Sequence, residues 1–320
     1  MNDRGATVRR IEASIPLPPG HVASFFVEGD EPIAVDTGMP DSAADVERSL
    51  AKWGHHMEDV DHLLVTHPHP DHTGSVPAFV EAGDPTLYAP ASARDRLDRD
   101  PDRVGERVRR NLRRGGFEGE RLEWAVEAAV ESLERAQGLL PLDAVDVWVE
   151  PGERFDVGGR SVRAVHTPGH QADHLCYVTD LGDERGLFSG DMALPPLRSA
   201  LIHAGNDDGY REAVAAFFRS LDRFESLSVD RVYPGHGPVH DALAEYVERD
   251  RNSLQGRLDQ VDRLVGEGYS TVASVVDAIK GDHDLRYMVP EIMSAVAHLE
   301  RTDRIEGEVV DGVAYYRPVE

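Results

Sequence analysis

Four side chains that can bind a metal lie within six residues of one another in the stretch Leu63–Gly74, which reads LLVTHPHPDHTG. Three are imidazoles and one is a carboxylate, and burying so many unpaired polar groups together would cost a fold several kcal/mol. Neutral imidazole and carboxylate are good zinc ligands, so the stretch predicts a metal site. The candidate ligands are His67, His69, Asp71 and His72.

The residues around this motif predict where it lies in a fold. The mainly apolar run His62–Thr66 is typical of a short buried strand. Pro68 and Pro70 disfavour a regular helix at the ligands, so we expect a rigid loop at the carboxyl end of the strand. A helix is then expected from Thr73 to Val80. Sites in open α/β sheets are built at this end of the strands.

Four further short motifs each place a polar residue after an apolar run. They read IAVDTG, TPGH, SGD and PGHG, and they supply Asp36, His170, Asp191 and His236 in that order. With the histidine-rich stretch they resemble, in sequence order, the five signatures of the metallo-β-lactamase superfamily. The resemblance runs from Asp36 to His236, roughly the first three quarters of the chain.

The resemblance implies an α/β fold in which two sheets pack together between outer helices, an αββα sandwich. We expect a catalytic domain over residues 1–242 with a helical insert at about 93–140. The apolar segments Val145–Glu150, Arg154–Val157 and Ser161–Val165 are predicted strands of the second sheet. Residues 243–320 are predicted to form three helices and a β-hairpin, a winged-helix-like domain. That domain lacks a basic stripe, so packing or homodimerisation is the expected role rather than nucleic-acid binding.

The resemblance also implies two metal ions per chain, with a role for each candidate residue. Asp71, His72 and His236 would hold one ion, and Asp191 would bridge it to the other. The ligands implied for the other ion are His67, His69 and His170. Asp71 and Asp191 are the expected catalytic residues. Asp36 would support the ligand loop without binding metal, the alternative being an ordinary turn or cap aspartate. Zinc is the expected metal, with manganese and iron as alternatives.

The implied activity is hydrolysis by a hydroxide shared between the two metals. A thioester or another ester is the expected substrate, as in hydroxyacylglutathione hydrolases of the glyoxalase II type, although no basic tail is evident to grip glutathione carboxylates. A ribonuclease or phosphodiesterase, a mononuclear-iron sulfur dioxygenase and a non-enzymatic winged-helix regulator are the alternatives. The net charge of −25 opposes nucleic-acid binding, whose affinity depends on cationic contacts.

Composition narrows the class of protein further. The 59 acidic residues face 34 basic ones, of which only Lys52 and Lys280 are lysines. Such a surface is typical of halophile proteins, whose self-repulsion is screened by salt, or of acidic proteins from high-GC genomes. The N-terminal residues 1–5 are polar and lead into no apolar signal segment, and no run predicts a membrane span. A single cysteine, Cys176, excludes an internal disulfide, so a cytoplasmic protein acting on a small molecule is expected.

Two further features have two interpretations each. The first is an arginine cluster within the insert, made up of Arg103, Arg107, Arg109, Arg110, Arg113 and Arg114. It is either an anion clamp for a phosphate-bearing substrate or a solvated helix face paired with acids such as Glu123. The second is the pair of histidines flanking His170. His166 and His174 either orient a ligand or contact substrate, or are ordinary hydrogen-bonded histidines near the site.

Overall fold

Two β-sheets pack face to face and carry helices on their outer faces, so the predicted αββα sandwich is confirmed. The computed structural model describes residues 6–16, 19–281 and 285–319, and the polar N-terminal residues 1–5 lie outside this set. Between the sheets, one layer of buried side chains comes from both, including Phe25 and Leu64 from the first sheet and Tyr177 and Phe188 from the second. Because side chains alternate across a strand, the other face of each strand is left to pack against helices.

The first sheet has six strands in the order β1-β2-β3-β4-β5-β6. The first three pair antiparallel, and β3 to β6 run parallel. Their bounds are Val8–Ser14, His21–Val27, Ile33–Val35, His62–Leu64, Thr86–Pro90 and Val147–Val149.

The second sheet has five strands in the order β11-β10-β9-β8-β7. Strands β7 to β10 are antiparallel to their neighbours, whereas β11 runs parallel to β10. Their bounds are Arg154–Val157, Arg160–His166, Leu175–Asp180, Arg185–Gly190 and Arg231–Pro234. Consequently β8, β10 and β11 all deliver their carboxyl ends to the same edge.

Ten α-helices are present within the described ranges. They are α1 (Ala43–Ala51), α2 (Pro70–Thr73), α3 (Val76–Gly83), α4 (Ala91–Leu97), α5 (Pro101–Arg114), α6 (Gly119–Leu139), α7 (Ala213–Glu225), α8 (Leu243–Gly266), α9 (Val272–Ile279) and α10 (Leu285–Arg301). Helices α1, α3 and α4 cover the outer face of the first sheet, through side chains such as Val46, Phe79 and Leu97. Helix α7 covers the second sheet through Phe217 and its neighbours. No helix among the described residues is long and apolar enough to cross a bilayer.

Two of the expectations about local structure are wrong. Val147–Val149 belongs to the first sheet, where it pairs parallel with β5, and not to the second. Parallel neighbours need a long crossover, and the helices of the insert, α4 to α6, supply it. The ligand motif is also partly helical, because Pro70 opens the short helix α2. Proline is compatible with the first turn of a helix, where its missing N–H is not needed.

The C-terminal segment has the expected elements, with α8 to α10 followed by the hairpin strands β12 (Ile305–Val310) and β13 (Val313–Pro318). Asp311 and Gly312 both have positive φ, at 50° and 84°, as a two-residue hairpin turn requires. The buried side chains of α8 to α10 are continuous with those of α5, α6 and α7. The division at residue 243 and the winged-helix-like assignment stay predictions.

Candidate metal centre

The candidate ligands meet at one edge of the sandwich, where strands of both sheets end. Asp36 directly follows β3, and His67 lies three residues after β4. From the second sheet, His170 follows β8, Asp191 directly follows β10, and His236 follows β11. The carboxyl ends of these strands point to the same edge, so residues up to 200 positions apart in the chain become neighbours.

One group of ligand atoms contains His67, His69, His170 and Asp191, all within 4.8 Å of one another. The Nδ1 atom of His69 lies 2.9 Å from Nε2 of His67 and 3.0 Å from Nε2 of His170. The Oδ2 atom of Asp191 lies 3.2 Å from Nε2 of His170. The three imidazoles therefore converge on one small volume.

A second group contains Asp71, His72 and His236, again with ligand atoms within 4.8 Å. The Oδ2 atom of Asp71 lies 3.4 Å from Nε2 of His236 and 3.9 Å from Nε2 of His72. Asp191 joins the two groups, since its Oδ1 atom lies 3.1 Å from Nε2 of His72 and 3.3 Å from Nε2 of His236. One carboxylate thus directs an oxygen to each group.

The first glycine of the PGHG motif, Gly235, lies so close to the two ligand groups that no side chain fits there. A Cβ atom on Gly235 would lie 2.7 Å from the His72 ring and 2.8 Å from Oδ1 of Asp191. Both neighbours are buried candidate ligands, so neither can move aside without disturbing the site. The motif therefore brings backbone, rather than a side chain, against the centre.

Burial and local charge set the protonation of these groups. Burial lowers the pKa of His67 and of His69 well below the usual value, which keeps both imidazoles neutral. Burial also lowers the pKa of His236, but the carboxylates of Asp191 and Asp71 outweigh it and raise that pKa to about 10. In turn, the histidines hold the pKa of Asp191 well below its usual range despite its burial. The second group is thus held together by opposite charges.

Two buried polar atoms that lack hydrogen bonds show that the site suits a metal. Within the described part of the chain, neither Nε2 of His72 nor Oδ1 of Asp191 makes a hydrogen bond, although they lie 3.1 Å apart. Leaving buried polar atoms unpaired is costly, and bonds to a metal would satisfy both. The donors are imidazole nitrogens and carboxylate oxygens, a set that suits zinc and related divalent ions. The residues present therefore fit a metal centre.

Asp36 and His174 contact candidate ligands without belonging to either ligand group. Asp36 accepts hydrogen bonds from the backbone N–H and the hydroxyl of Thr66, both at 2.8 Å, and its Oδ2 lies 2.8 Å from Nδ1 of His72. The backbone N–H of Asp191 donates to Nε2 of His174 at 3.0 Å. His166, by contrast, is hydrogen-bonded through Nε2 to the carbonyl of Ala172 at 2.9 Å.

Other residues near the centre carry no sequence signal that would identify them. Arg96, on α4, has its Nε atom 2.7 Å from the buried carboxylate of Asp173. The side-chain amide of Gln171 lies between Arg96, at 2.5 Å, and Nε2 of His69, at 2.6 Å. These contacts join α4 to the loop that carries His170, and nothing in the local sequence spacing predicts them.

The arginine cluster of the insert is partly paired with acids. Arg107 donates two hydrogen bonds to Asp207, at 2.7 and 2.9 Å. Arg109 contacts Glu123 at 2.5 Å, and Arg110 contacts Asp208 at 2.9 Å. The arginines therefore pair with Glu123 of α6, as predicted. They also pair with Asp207 and Asp208 of a distant loop, and the sequence did not predict that pairing.

Comparison with known proteins shows which family the chain resembles over most of its length. Residues 17–236 match the family model described as the metallo-beta-lactamase superfamily. An atrochrysone carboxyl ACP thioesterase of Aspergillus fumigatus is 26% identical over 315 residues, which cover 90% of this chain and 61% of that protein. A lactamase-like protein of Emericella nidulans is 28% identical over 75% of this chain and 58% of its own length. The chain thus spans about three fifths of these curated relatives.

Solved structures show the same fold over nearly the whole chain. A metallo-beta-lactamase family protein from Thermus thermophilus has a TM-score of 0.78 at 23% identity, with 98% of both chains covered. A beta-lactamase domain protein from Burkholderia ambifaria has a TM-score of 0.77 at 21% identity and covers 98% of this chain and 92% of its own. The C-terminal helices and hairpin are therefore included in the similarity.

Proposed function

This chain belongs to the metallo-beta-lactamase superfamily, and we propose that it is a metal-dependent hydrolase that cleaves a thioester. The proposed centre holds two metal ions, with zinc as the preferred metal because imidazole and carboxylate donors suit it. The proposed ligands are His67, His69, His170, Asp71, His72 and His236, with Asp191 shared between the ions.

One observation carries the proposal. The two oxygens of Asp191 are directed to different ligand groups, Oδ2 to His170 at 3.2 Å and Oδ1 to His72 at 3.1 Å. A carboxylate in that position is suited to link two cations. A metal bound at the first group alone would leave Nε2 of His72 and Oδ1 of Asp191 buried without hydrogen bonds to any described residue, which is costly.

When bound, two such ions acidify a water molecule and polarise the substrate carbonyl. The chain's own residues prepare the centre for them. Because burial keeps His67 and His69 neutral, their lone pairs are free for a cation. Hydrogen bonds from Thr66 fix Asp36, which in turn orients His72. His174 holds the backbone of Asp191.

Cys176 is unsuited to act as an alternative nucleophile. It is fully buried, and burial raises the pKa of its thiol to about 12. The thiolate is the reactive form of cysteine, and it is scarce at neutral pH with such a pKa. This favours hydrolysis through an activated water over formation of an acyl-enzyme at this residue.

The names of relatives support a thioester as the substrate. The Aspergillus fumigatus relative is an acyl carrier protein thioesterase by name, although it is considerably longer than this chain. The net charge of −25 disfavours RNA, which is the substrate in the ribonuclease alternative. A small acyl thioester is consistent with both observations.

The test combines metal analysis with a substrate panel. Gently purified protein should contain two metal ions per chain, and it should hydrolyse an acyl-pantetheine thioester faster than an oxygen ester or a phosphodiester. Chelation should abolish the activity and zinc should restore it. His236→Ala should lose metal, whereas the control His56→Ala should not, because His56 is exposed and bonded to Glu47. One iron per chain, or preferred cleavage of the phosphodiester, would refute the proposal.

A further inference from the structure

We propose that the C-terminal helices α8 and α10 position two ligands of the metal centre through the loop 192–200, with Arg249 and Arg198 as the positioning residues. The inference rests on the proposed metal centre and assigns a role to the C-terminal segment within it. Neither arginine belongs to the ligand groups. Their effect on the centre would be transmitted by the backbone of the loop that follows Asp191.

The loop contacts two proposed ligands directly. The carbonyl of Ala200 lies 2.9 Å from Nδ1 of His170. That contact holds the proton on Nδ1, which leaves Nε2 available to bind a metal. The hydroxyl of the neighbouring Ser199 donates a hydrogen bond to the carbonyl of Asp191, which immediately precedes the loop. Displacement of the loop would therefore move the His170 ring and the Asp191 backbone together.

Arg249, on α8, binds the loop through three backbone carbonyls. Its Nη2 donates to Leu194 at 2.7 Å and to Leu197 at 3.0 Å, and its Nη1 donates to Pro195 at 2.8 Å. The rigid fork of guanidinium donors suits such a set of acceptors. The completely buried carboxylate of Asp250 accepts a hydrogen bond from Nε of Arg249 at 3.0 Å and also lies 2.6 Å from Nη2, which fixes the direction of the guanidinium.

The composition of the loop explains why it needs an external donor. Its backbone forms no regular helix or strand, so its carbonyls lack the usual internal partners. Pro195 and Pro196 have no N–H to offer in return. The loop is thus rich in acceptors and poor in donors, and a cation from the C-terminal segment supplies the missing hydrogen bonds.

A second attachment comes from the loop itself. Arg198 reaches α10, where its Nη2 donates to both carboxylate oxygens of Glu291 at 2.8 Å. Arg257, on α8, donates to the same carboxylate at 2.8 Å. Glu291 is buried, so this group of three charges is well shielded from water. Breaking a buried pair leaves an uncompensated charge, which makes the attachment hard to release.

The test compares two arginines on the same helix. Arg249→Met removes the donors but keeps an apolar stem. Arg251→Met is the matched control, because the ion pairs of Arg251 with Asp222 and Glu225 lie at the surface. Metal affinity is measured by competition with a chelator, and geometry by the absorption spectrum of the cobalt-substituted protein. We expect Arg249→Met to weaken metal binding by roughly 10- to 100-fold and to change the spectrum, and the control to change neither.

A second pair of variants keeps the test decisive if Arg249→Met does not fold. Arg249→Lys retains a cation that reaches fewer of the three carbonyls, so it should give an intermediate affinity. Ser199→Ala removes only the hydroxyl that contacts Asp191 and should weaken metal binding without a large change in melting temperature. If these variants bind metal as the wild type does, the positioning role is refuted while the metal centre stands. A wild-type protein that binds no metal would refute the proposed function itself.

Discussion

The Oδ2 atom of Asp36 lies 2.8 Å from Nδ1 of His72, and both side chains are buried. Asp36 has a φ of 57°, a left-handed conformation that residues other than glycine, asparagine and aspartate seldom adopt. The Asp36 carboxylate accepts a hydrogen bond from Nδ1 of His72, and this orients the ring so that Nε2 is the nitrogen that faces Asp191. This backbone strain is accepted where a ligand must be oriented.

Asp36→Asn should weaken metal binding at the second ligand group. Asparagine tolerates the left-handed φ, so the backbone should remain in place. If the amide nitrogen faces Nδ1 of His72, the ring proton is forced onto Nε2, which then cannot bind a cation. We expect roughly 10- to 100-fold weaker affinity, measured by chelator competition. Wild-type affinity in Asp36→Asn would show that the pair does not orient the ligand.

Asp191→Ala should abolish thioester hydrolysis and leave the fold largely intact. The substitution removes the side-chain contacts to the ligand groups but keeps the backbone hydrogen bond of residue 191, so its structural effect should be local. Metal content should fall below two per chain when it is measured after dialysis. Asp180→Ala is the control, since that carboxylate is exposed at the end of β9. Undiminished turnover in Asp191→Ala would exclude the bridging role.

Neutralising the paired arginines of the insert should not affect substrate binding. Arg109 and Arg110 already contact Glu123 and Asp208. We therefore expect the double variant Arg109→Gln, Arg110→Gln to leave KM for a phosphate-bearing thioester within about twofold of the wild type, since no uniform binding is lost. A large rise in KM that shrinks as salt increases would instead support the anion clamp.

His203 should make the metal-free protein less stable at acid pH. Burial lowers its pKa from 6.5 to about 4, and its Nδ1 atom has no hydrogen-bond partner among the described residues. Since the folded pKa is the lower one, the unfolded chain binds more protons between these values. The free energy of unfolding should therefore fall as the pH drops from 6.5 towards 4, by at most about 3 kcal/mol from this group.

His203→Asn tests that assignment without straining the backbone, because asparagine tolerates the φ of 53° at this position. Denaturant unfolding at several pH values, with chelator present, should show a smaller acid-induced loss in the variant than in the wild type. Equal pH dependence of the two proteins would assign the loss to other buried histidines.

The fold class and the set of candidate ligands could be predicted from the sequence. His67, His69, Asp71 and His72 are local neighbours, and each distant ligand follows its own apolar strand. Parallel strands bring their carboxyl ends to a common edge, so a pattern read along the chain translates directly into proximity. For the same reason Asp36, at the end of β3, could be predicted to support the ligand loop.

The packing of distant segments determines which sheet contains Val147–Val149 and which residues outside the ligand groups support the centre. Arg249 contacts carbonyls more than 50 positions earlier, and Arg110 contacts Asp208 98 positions later. Such contacts depend on how helices pack over a sheet, and an arginine has the same local sequence signature whether it binds a loop, an acid or water. Periodicity and motif spacing report which face of an element is buried, whereas the partner that covers that face is fixed by packing across the whole chain.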